Sequence, residues 1–109
     1  MPSFSTKRLK ICHVNVLSLL ANLKLLDLEI LCASADIDVI CVTDTWLTSK
    51  LGSSQVCLPG FQPPFRCDRS AGPRGGGAAV YVRVGLPANS VYFHDQLESA
   101  CVTVHLPNR

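Results

Sequence analysis

Lys10-Ile-Cys-His-Val-Asn-Val16 and Asp38-Val-Ile-Cys-Val-Thr-Asp-Thr-Trp-Leu47 bracket the stretch whose reading decides the fold. The first run alternates Leu9, Ile11, His13 and Asn15 against Lys10, Cys12, Val14 and Val16, and the second centres on the near-continuous apolar block Val39 to Val42. Runs of this kind are the habit of strands covered on both faces, as in parallel sheets. Between them, Ser18 to Ala35 sets Leu19, Leu23, Leu26 and Ile30 at spacings of three and four, with Leu20 and Leu31 widening the stripe. That spacing predicts an amphipathic helix capped by Ser18.

Strand, helix and strand in this order form a βαβ unit, whose right-handed crossover lays the two strands parallel and near each other. Asn15 closes the first strand and Asp44 the second, so an amide and a carboxylate are expected at one rim. In open α/β sheets that rim is where ligands bind. Asn and Asp also end strands simply as turn formers that bond their own backbone, so the pair gains its weight from the rest of the chain.

Downstream, Thr48 to Pro64 is rich in Gly, Ser and Pro and predicts a loop with little regular structure. Phe65 to Arg69 and Ala78 to Val84 predict an antiparallel hairpin joined through Gly72 to Gly77. The glycine run there suits a loop close to a phosphate or a flexible hairpin tip, and the tip is the favoured reading. No helix carrying Lys-Ser/Thr follows it, which excludes a P-loop. Ser90 to Phe93 and Ala100 to Leu106 predict two further strands around a turn at Asp95-Gln96. Met1 to Arg8 is a polar lead expected to be disordered, and residues 9–109 are expected to form one domain.

The length of 109 residues suits one small domain, and 48% hydrophobic residues is high for a chain with so little helix. Such a surplus fits half of a two-sheet sandwich whose inner faces lack their counterpart, and it predicts poor solubility. The net charge of +2 does not by itself argue for nucleic acid. Its distribution is more telling: Lys50, Arg66, Arg69, Arg74 and Arg83 face only Asp68 in that stretch. A basic region of this kind could contact phosphates without reading bases, or could be no more than a solvated hairpin.

The six cysteines include no Cys-x-x-Cys pair, and four sit in apolar runs. They are expected to be free thiols acting as small hydrophobes, and neither a disulfide framework nor a zinc site. His13, Asn15 and Asn22 break the apolar stretch after Lys7-Arg8, and no small-residue cleavage site follows, which argues against a signal peptide. Nothing approaches the roughly 20 apolar residues of a membrane span, so an intracellular protein without membrane contact is expected.

Taken in order, Leu9-Lys-Ile-Cys-His-Val-Asn15, Asp38-Val-Ile-Cys-Val-Thr-Asp44-Thr-Trp46-Leu47, Gly60-Phe61, Arg66-Cys-Asp68-Arg69 and Gly75-Gly-Gly-Ala-Ala-Val-Tyr-Val-Arg83 resemble the endonuclease/exonuclease/phosphatase superfamily. Within it the chain looks most like the endonuclease domain of LINE-type (non-LTR) retrotransposons, over about Leu9 to Leu106. Branches acting on phospholipids, inositol phosphates or RNA tails share the Asn and the acidic ligand, and Thr43-Asp-Thr-Trp-Leu47 points to the retroelement branch.

The resemblance implies an α/β fold, a four-layer α/β sandwich of which this chain carries the N-terminal half: a βαβ unit followed by antiparallel strands. It implies Mg2+-dependent hydrolysis of a phosphodiester bond, nicking target DNA in retrotransposition, with DNA as partner, no small-molecule cofactor, and a nuclear location if functional. Asn15 would then be a catalytic residue orienting the scissile phosphate and the water shell of the metal, and Asp44 would be the Mg2+ ligand. Arg69 is expected to contact phosphate.

Two departures from the family pattern bear on activity. The position of Asp44 is normally Glu, and Asp is shorter by one carbon–carbon bond, about 1.5 Å, whereas Mg2+ demands oxygen ligands at about 2.0–2.1 Å. The family domain is also about twice as long, and its Asp-x-Asn, Ser-Asp-His and tyrosine elements do not occur in these 109 residues. His13 is expected to be a packed, hydrogen-bonded strand residue more than a general base, and His94 and His105 to be edge or surface residues. Little or no nuclease activity is therefore expected of the isolated chain. The alternative is a non-enzymatic retroelement remnant with at most weak nucleic-acid binding.

Overall fold

The computed structural model describes residues 8–68, 76–94 and 99–106. Strands β1 (Ile11–Asn15) and β2 (Val39–Thr43) pair in parallel, with Ile11 opposite Val39 and Asn15 opposite Thr43. Helix α1 (Lys24–Ala35) connects them, so the βαβ reading holds. Two further strands, β3 (Phe65–Cys67) and β4 (Ala78–Val82), pair antiparallel as expected. Because β4 also lies antiparallel to β2, the first sheet is mixed, in the order β1-β2-β4-β3. Strands β5 (Ala88–His94) and β6 (Ser99–Val104) form a second, two-stranded antiparallel sheet. Among the described residues the fold is thus mixed α/β, with one helix and six strands in two sheets.

The helix differs from expectation in both its start and its buried face. Ser18 is not its cap, because the Ser18 N–H donates to the Asp44 carbonyl (2.8 Å) and the Leu19 N–H to that of Thr45 (2.9 Å). Those bonds hold the chain after β1 beside the chain after β2 and bury Leu19 completely. Leu17, Ser18, Asn22 and Leu23 take left-handed backbone angles in the intervening turns. From Lys24 onward the inward residues are Leu28 and Cys32, with Leu25 and Ala35 packed beside them. Leu23, Leu26 and Ile30 of the expected stripe are 72%, 48% and 55% exposed. Lys24-Leu-Leu-Asp-Leu-Glu-Ile-Leu-Cys32 is apolar on several sides at once, so spacings of three and four can be traced along more than one face.

Strand β1 also corrects an expectation. Ile11, His13 and Asn15 point to solvent, Ile11 being 61% exposed, so β1 is covered on one face only, as its position at the edge of the sheet allows. In β2, by contrast, Val39, Ile40 and Val42 are buried. Ile40, Val42, Leu19, Leu47, Val56 and Tyr81 belong to the core between the sheet and the connecting segments. Fully burying an aliphatic side chain of this size is worth about 1.5–3 kcal/mol, so this cluster is the main source of stability. The opposite face of the sheet meets β6 across an apolar cleft of about 300 Å³ lined by Ile11, Val39, Val80 and Val102.

The long loop is irregular apart from one 3-10 turn, Ser53–Val56. The buried Tyr81 hydroxyl fixes it by donating to the Val56 carbonyl (2.6 Å). Arg66 fixes it again, reaching Asp68 (2.6 Å), the Ser53 hydroxyl and the Thr48 carbonyl. All six cysteines are free thiols, as their spacing predicted. Among the described residues no helix is long and apolar enough to cross a membrane. Of the polar lead only Arg8 is described, and the Asp95-Gln96 turn lies outside the described residues.

Candidate functional site

The parallel register that sets Asn15 opposite Thr43 leaves Asp44 one residue beyond the strand pair, at the rim where both carboxyl ends emerge. There the Asn15 Nδ2 donates to Asp44 Oδ2 at 3.0 Å. A carboxylate only accepts, so this contact also fixes which end of the Asn15 amide faces Asp44 and leaves its Oδ1 directed elsewhere. The other carboxylate oxygen, Oδ1, accepts the backbone N–H of Gly76 at 3.0 Å. Two residues further back along β1, His13 Nε2 meets the Thr43 hydroxyl at 3.0 Å on the same exposed face.

The backbone around this rim is strained. Leu17, Ser18, Asp44 and Trp46 all have positive φ, with values of 48°, 82°, 55° and 60°. Asp tolerates the left-handed region because its short polar side chain can bond locally, but Leu and Trp carry no such compensation. What holds them is a lattice of backbone bonds: the Trp46 N–H to the Gly76 carbonyl (2.9 Å), the Thr45 N–H to that of Gly77 (3.3 Å), and the two bonds from Ser18 and Leu19. Strained residues persist only where their surroundings over-determine them, and they gather at ligand sites.

Gly76 and Gly77 have φ of 76° and 90°, angles that suit glycine. The favoured flexible-tip reading is therefore corrected for these two residues: they dock against the Asp44 loop, because a carboxylate and two backbone N–H groups engage them. The sequence signal was the glycine run itself. Thr43, the partner of His13, carried no signal beyond lying in the strand, and nothing in the sequence marks Leu17 or Trp46 as left-handed.

Of the expected site residues, Asn15 and Asp44 are brought together. Arg69 lies outside the described residues, as does Arg74. Arg66 and Arg83 are spent internally, the first on Asp68 and the second on Asp36 and Asp38. The basic stretch thus offers fewer guanidinium groups to a ligand than its composition suggests. His13 is hydrogen-bonded as expected but is exposed, because β1 lies at the sheet edge. His105 is exposed beyond β6, and His94 is the last residue of β5.

Asp44 supplies a single carboxylate, and among the described residues no group of three or more His, Cys, Asp or Glu side chains could hold a metal. An ionised carboxylate offers about four acceptor sites, more than the bonds from the Asn15 amide and the Gly76 N–H use. One carboxylate with unused lone pairs fits an ion such as Mg2+, which keeps several waters and binds through one or two carboxylates plus phosphate. The class that fold and site define is a mixed α/β domain with a polar, backbone-strained rim at the carboxyl ends of a parallel strand pair. No protein-family model matches the chain, and no curated protein matches its sequence.

Proposed function

We propose that this chain is part of a Mg2+-dependent phosphodiesterase domain of the endonuclease/exonuclease/phosphatase type, of the retroelement endonuclease branch, acting on DNA. The observation that carries the reading is the 3.0 Å contact between the Asn15 amide and the Asp44 carboxylate, made by adjacent parallel strands that the chain reaches through an intervening helix. The placement of β6 over the face of the first sheet is compatible with one half of a four-layer sandwich.

In this reading Asn15 orients the scissile phosphate through its amide, and Asp44 holds the metal with the lone pairs that Asn15 and Gly76 leave unused. When bound, the ion supplies charge stabilisation on the phosphate. Asp44 has the shorter reach of Asp relative to Glu and sits on left-handed backbone, φ 55°, so a bridging water would complete its contact with the ion. No described histidine lies in contact with Asp44 to serve as general base, so the isolated chain hydrolyses DNA poorly. One observation favours the second reading, a remnant with at most weak nucleic-acid binding: Arg66 and Arg83 are already satisfied within the protein.

The test uses Trp46, the single tryptophan, two residues from Asp44. A Mg2+ titration followed by Trp46 emission should give a saturable change in the wild type that Asp44→Asn abolishes. Identical titrations for the two proteins would remove the metal role. In a plasmid-nicking assay with Mg2+, the chain should not exceed an Asp44→Ala control, and clear nicking lost in that control would overturn the inactivity while strengthening the nuclease assignment.

A further inference from the structure

Helix α1 is apolar on two opposite faces, and the fold buries only one of them. Leu28 and Cys32 enter the core. On the far side Leu26 and Ile30, four residues apart, are exposed, with the exposed Leu23 a turn earlier and the exposed Ala33 a turn later. Of the nine large hydrophobic side chains exposed among the described residues, six (Leu17, Leu20, Leu23, Leu26, Ile30 and Leu31) lie on α1 or the turns leading to it. Single exposed leucines need no explanation, but a run gathered on one helix and rimmed by polar groups marks an interaction surface. The spacings from Leu23 through Leu26 and Ile30 to Ala33 are those by which one helix packs lengthwise on another.

The charges around this stripe decide what it fits. Asp27 borders it on one side and Glu29 on the other, both exposed and neither in an ion pair among the described residues. The cations near α1 are engaged away from the stripe. Lys24 donates its ammonium to the Val16 carbonyl, and Lys10 donates to the Ala35 carbonyl at the end of the helix (3.1 Å). Arg83 pairs with Asp36 and Asp38, and it meets Glu29 only across the cleft of about 230 Å³ that both line with Cys32, Ile37 and Phe61, on the core side of Glu29. Arg8 precedes Lys10 and has a contact of its own. The stripe is therefore rimmed by a free carboxylate on each side.

We propose that the outer face of α1 docks a basic amphipathic helix of another protein, with its apolar seam along Leu23, Leu26 and Ile30 and its Lys or Arg flanks against Asp27 and Glu29. Charge selects this occupant over the two others that an exposed apolar helix could have. Antiparallel pairing with a second copy, Leu26 against Ile30, sets Asp27 near Asp27 and Glu29 near Glu29, and like charges repel. Parallel pairing sets Glu29 beside Ser34 and Asp27 beside Asn22, which answer neither charge. Helices that lie on lipid carry Lys and Arg beside the apolar face, where this one carries acids. A basic helix gains on both flanks, so the seam supplies affinity and the acids choose the partner. The inference is independent of the nuclease reading, since no residue of the Asp44 rim takes part.

Two synthetic helical peptides with the same leucine seam, one flanked by lysines and one by glutamates, test this by fluorescence anisotropy with the full chain. The Lys-flanked peptide should bind several-fold tighter at low salt, and the gap should narrow as salt rises. Leu26→Gln and Ile30→Gln place a good helix former at exposed positions, and each should weaken the Lys-flanked peptide at least about tenfold. Glu29→Lys should narrow the preference, and Asp27→Lys combined with Glu29→Lys should invert it. The single Glu29 variant carries the test if loss of the first-turn acid Asp27 frays the helix. Binding of neither peptide would overturn the proposal, as would binding indifferent to Leu26→Gln and Ile30→Gln, or equal affinity for the two peptides at low salt. A dimer in sedimentation velocity that Ile30→Gln dissolves would give the face to a second copy, and binding to neutral phosphatidylcholine vesicles that Ile30→Gln abolishes would give it to lipid; either result overturns the proposal.

Discussion

At the amino rim of the parallel strand pair, Asp38 is 5% exposed and is answered by a full positive charge, the Arg83 Nε at 2.9 Å, with the Lys10 N–H on its other oxygen at 2.9 Å. At the carboxyl rim, some five residues along the same strands, Asp44 is half-buried and accepts from neutral donors, the Asn15 amide and the Gly76 N–H, with no ion pair shown among the described residues. Arg83 is already committed at the amino rim, where it also bonds Asp36 and the Ile37 carbonyl. A carboxylate taken out of water beside a guanidinium is a structural device, and its removal would leave Arg83 only the exposed Asp36. A carboxylate fixed by amides keeps its charge available to a ligand. The two ends of one βαβ unit therefore divide their work: the amino rim locks the crossover, and the carboxyl rim is strained and underneutralised among the described residues.

The division predicts opposite responses to the same isosteric change. Asp38→Asn removes the buried one of the two carboxylates that answer Arg83 and should cost about 2–3 kcal/mol, at or below the low end for a broken buried pair because Arg83 is partly solvated and keeps the exposed Asp36. Asp44→Asn keeps the shape and the tolerance of left-handed backbone, its one amide oxygen still accepts the Gly76 N–H, and its NH2 is accommodated by turning the Asn15 amide to present its oxygen, so it should change stability by less than about 1 kcal/mol. Urea denaturation of both variants against the wild type checks the contrast. Equal losses at the two sites would erase the distinction between them.

Gly76→Ala probes how firmly the carboxyl rim depends on its backbone lattice. Its φ of 76° is left-handed, so an Ala there should cost about 1–2 kcal/mol and loosen the hold on Asp44. If the rim is a coupled unit, the same variant should also change Trp46 emission, since Trp46 donates to the Gly76 carbonyl. A loss of stability with an unchanged Trp46 spectrum would show that the two halves of the lattice are independent.

How much of this was legible in the residues follows the physics of each part. The parallel pair was legible because β-branched blocks separated by a helix-length segment allow few alternatives, and its right-handed closure then brings Asn15 and Asp44 to one rim. The face that α1 buries was not legible, because a helix with leucines on several sides has no unique stripe, and only packing against Ile40 and Val42 chose Leu28 and Cys32. The exposure of β1 was hidden for a related reason. Alternation of Ile11, His13 and Asn15 against Cys12 and Val14 is the one-sided pattern, but position at the edge is a property of sheet order, which the local sequence of β1 does not encode. The ion pairs of Arg66 and Arg83 were invisible because both depend on contacts made across the fold. Composition left those arginines open to a ligand or to solvent, and tertiary structure claimed them.

The smallest predicted effect lies beneath the amino rim. The Cys32 thiol is pushed up from an ordinary 9.0 to about 11, first by burial and then by nearby Cys12, with Arg83 acting in the opposite sense. Burial, with a smaller push from Cys12, also raises Cys41. A thiol whose folded pKa is raised is neutral when protonated, so its contribution to stability is complete below the unfolded value. That contribution is lost as pH rises from about 9 towards 11, because the unfolded chain releases its proton first. Burial raises the Tyr81 hydroxyl as well, and it adds to the same alkaline decline. Thermal melts between neutral pH and that upper limit should therefore show a falling midpoint above about pH 9 in the wild type and a shallower fall in Cys32→Ala. In the Asp38→Asn background Arg83 keeps only the exposed Asp36, its field on Cys32 strengthens and the folded Cys32 pKa falls towards the unfolded value, so the Cys32 part of the decline should be smaller and end at lower pH. A Cys32-dependent decline of unchanged size in Asp38→Asn would mean that Arg83 does not couple the amino rim to the core beneath it.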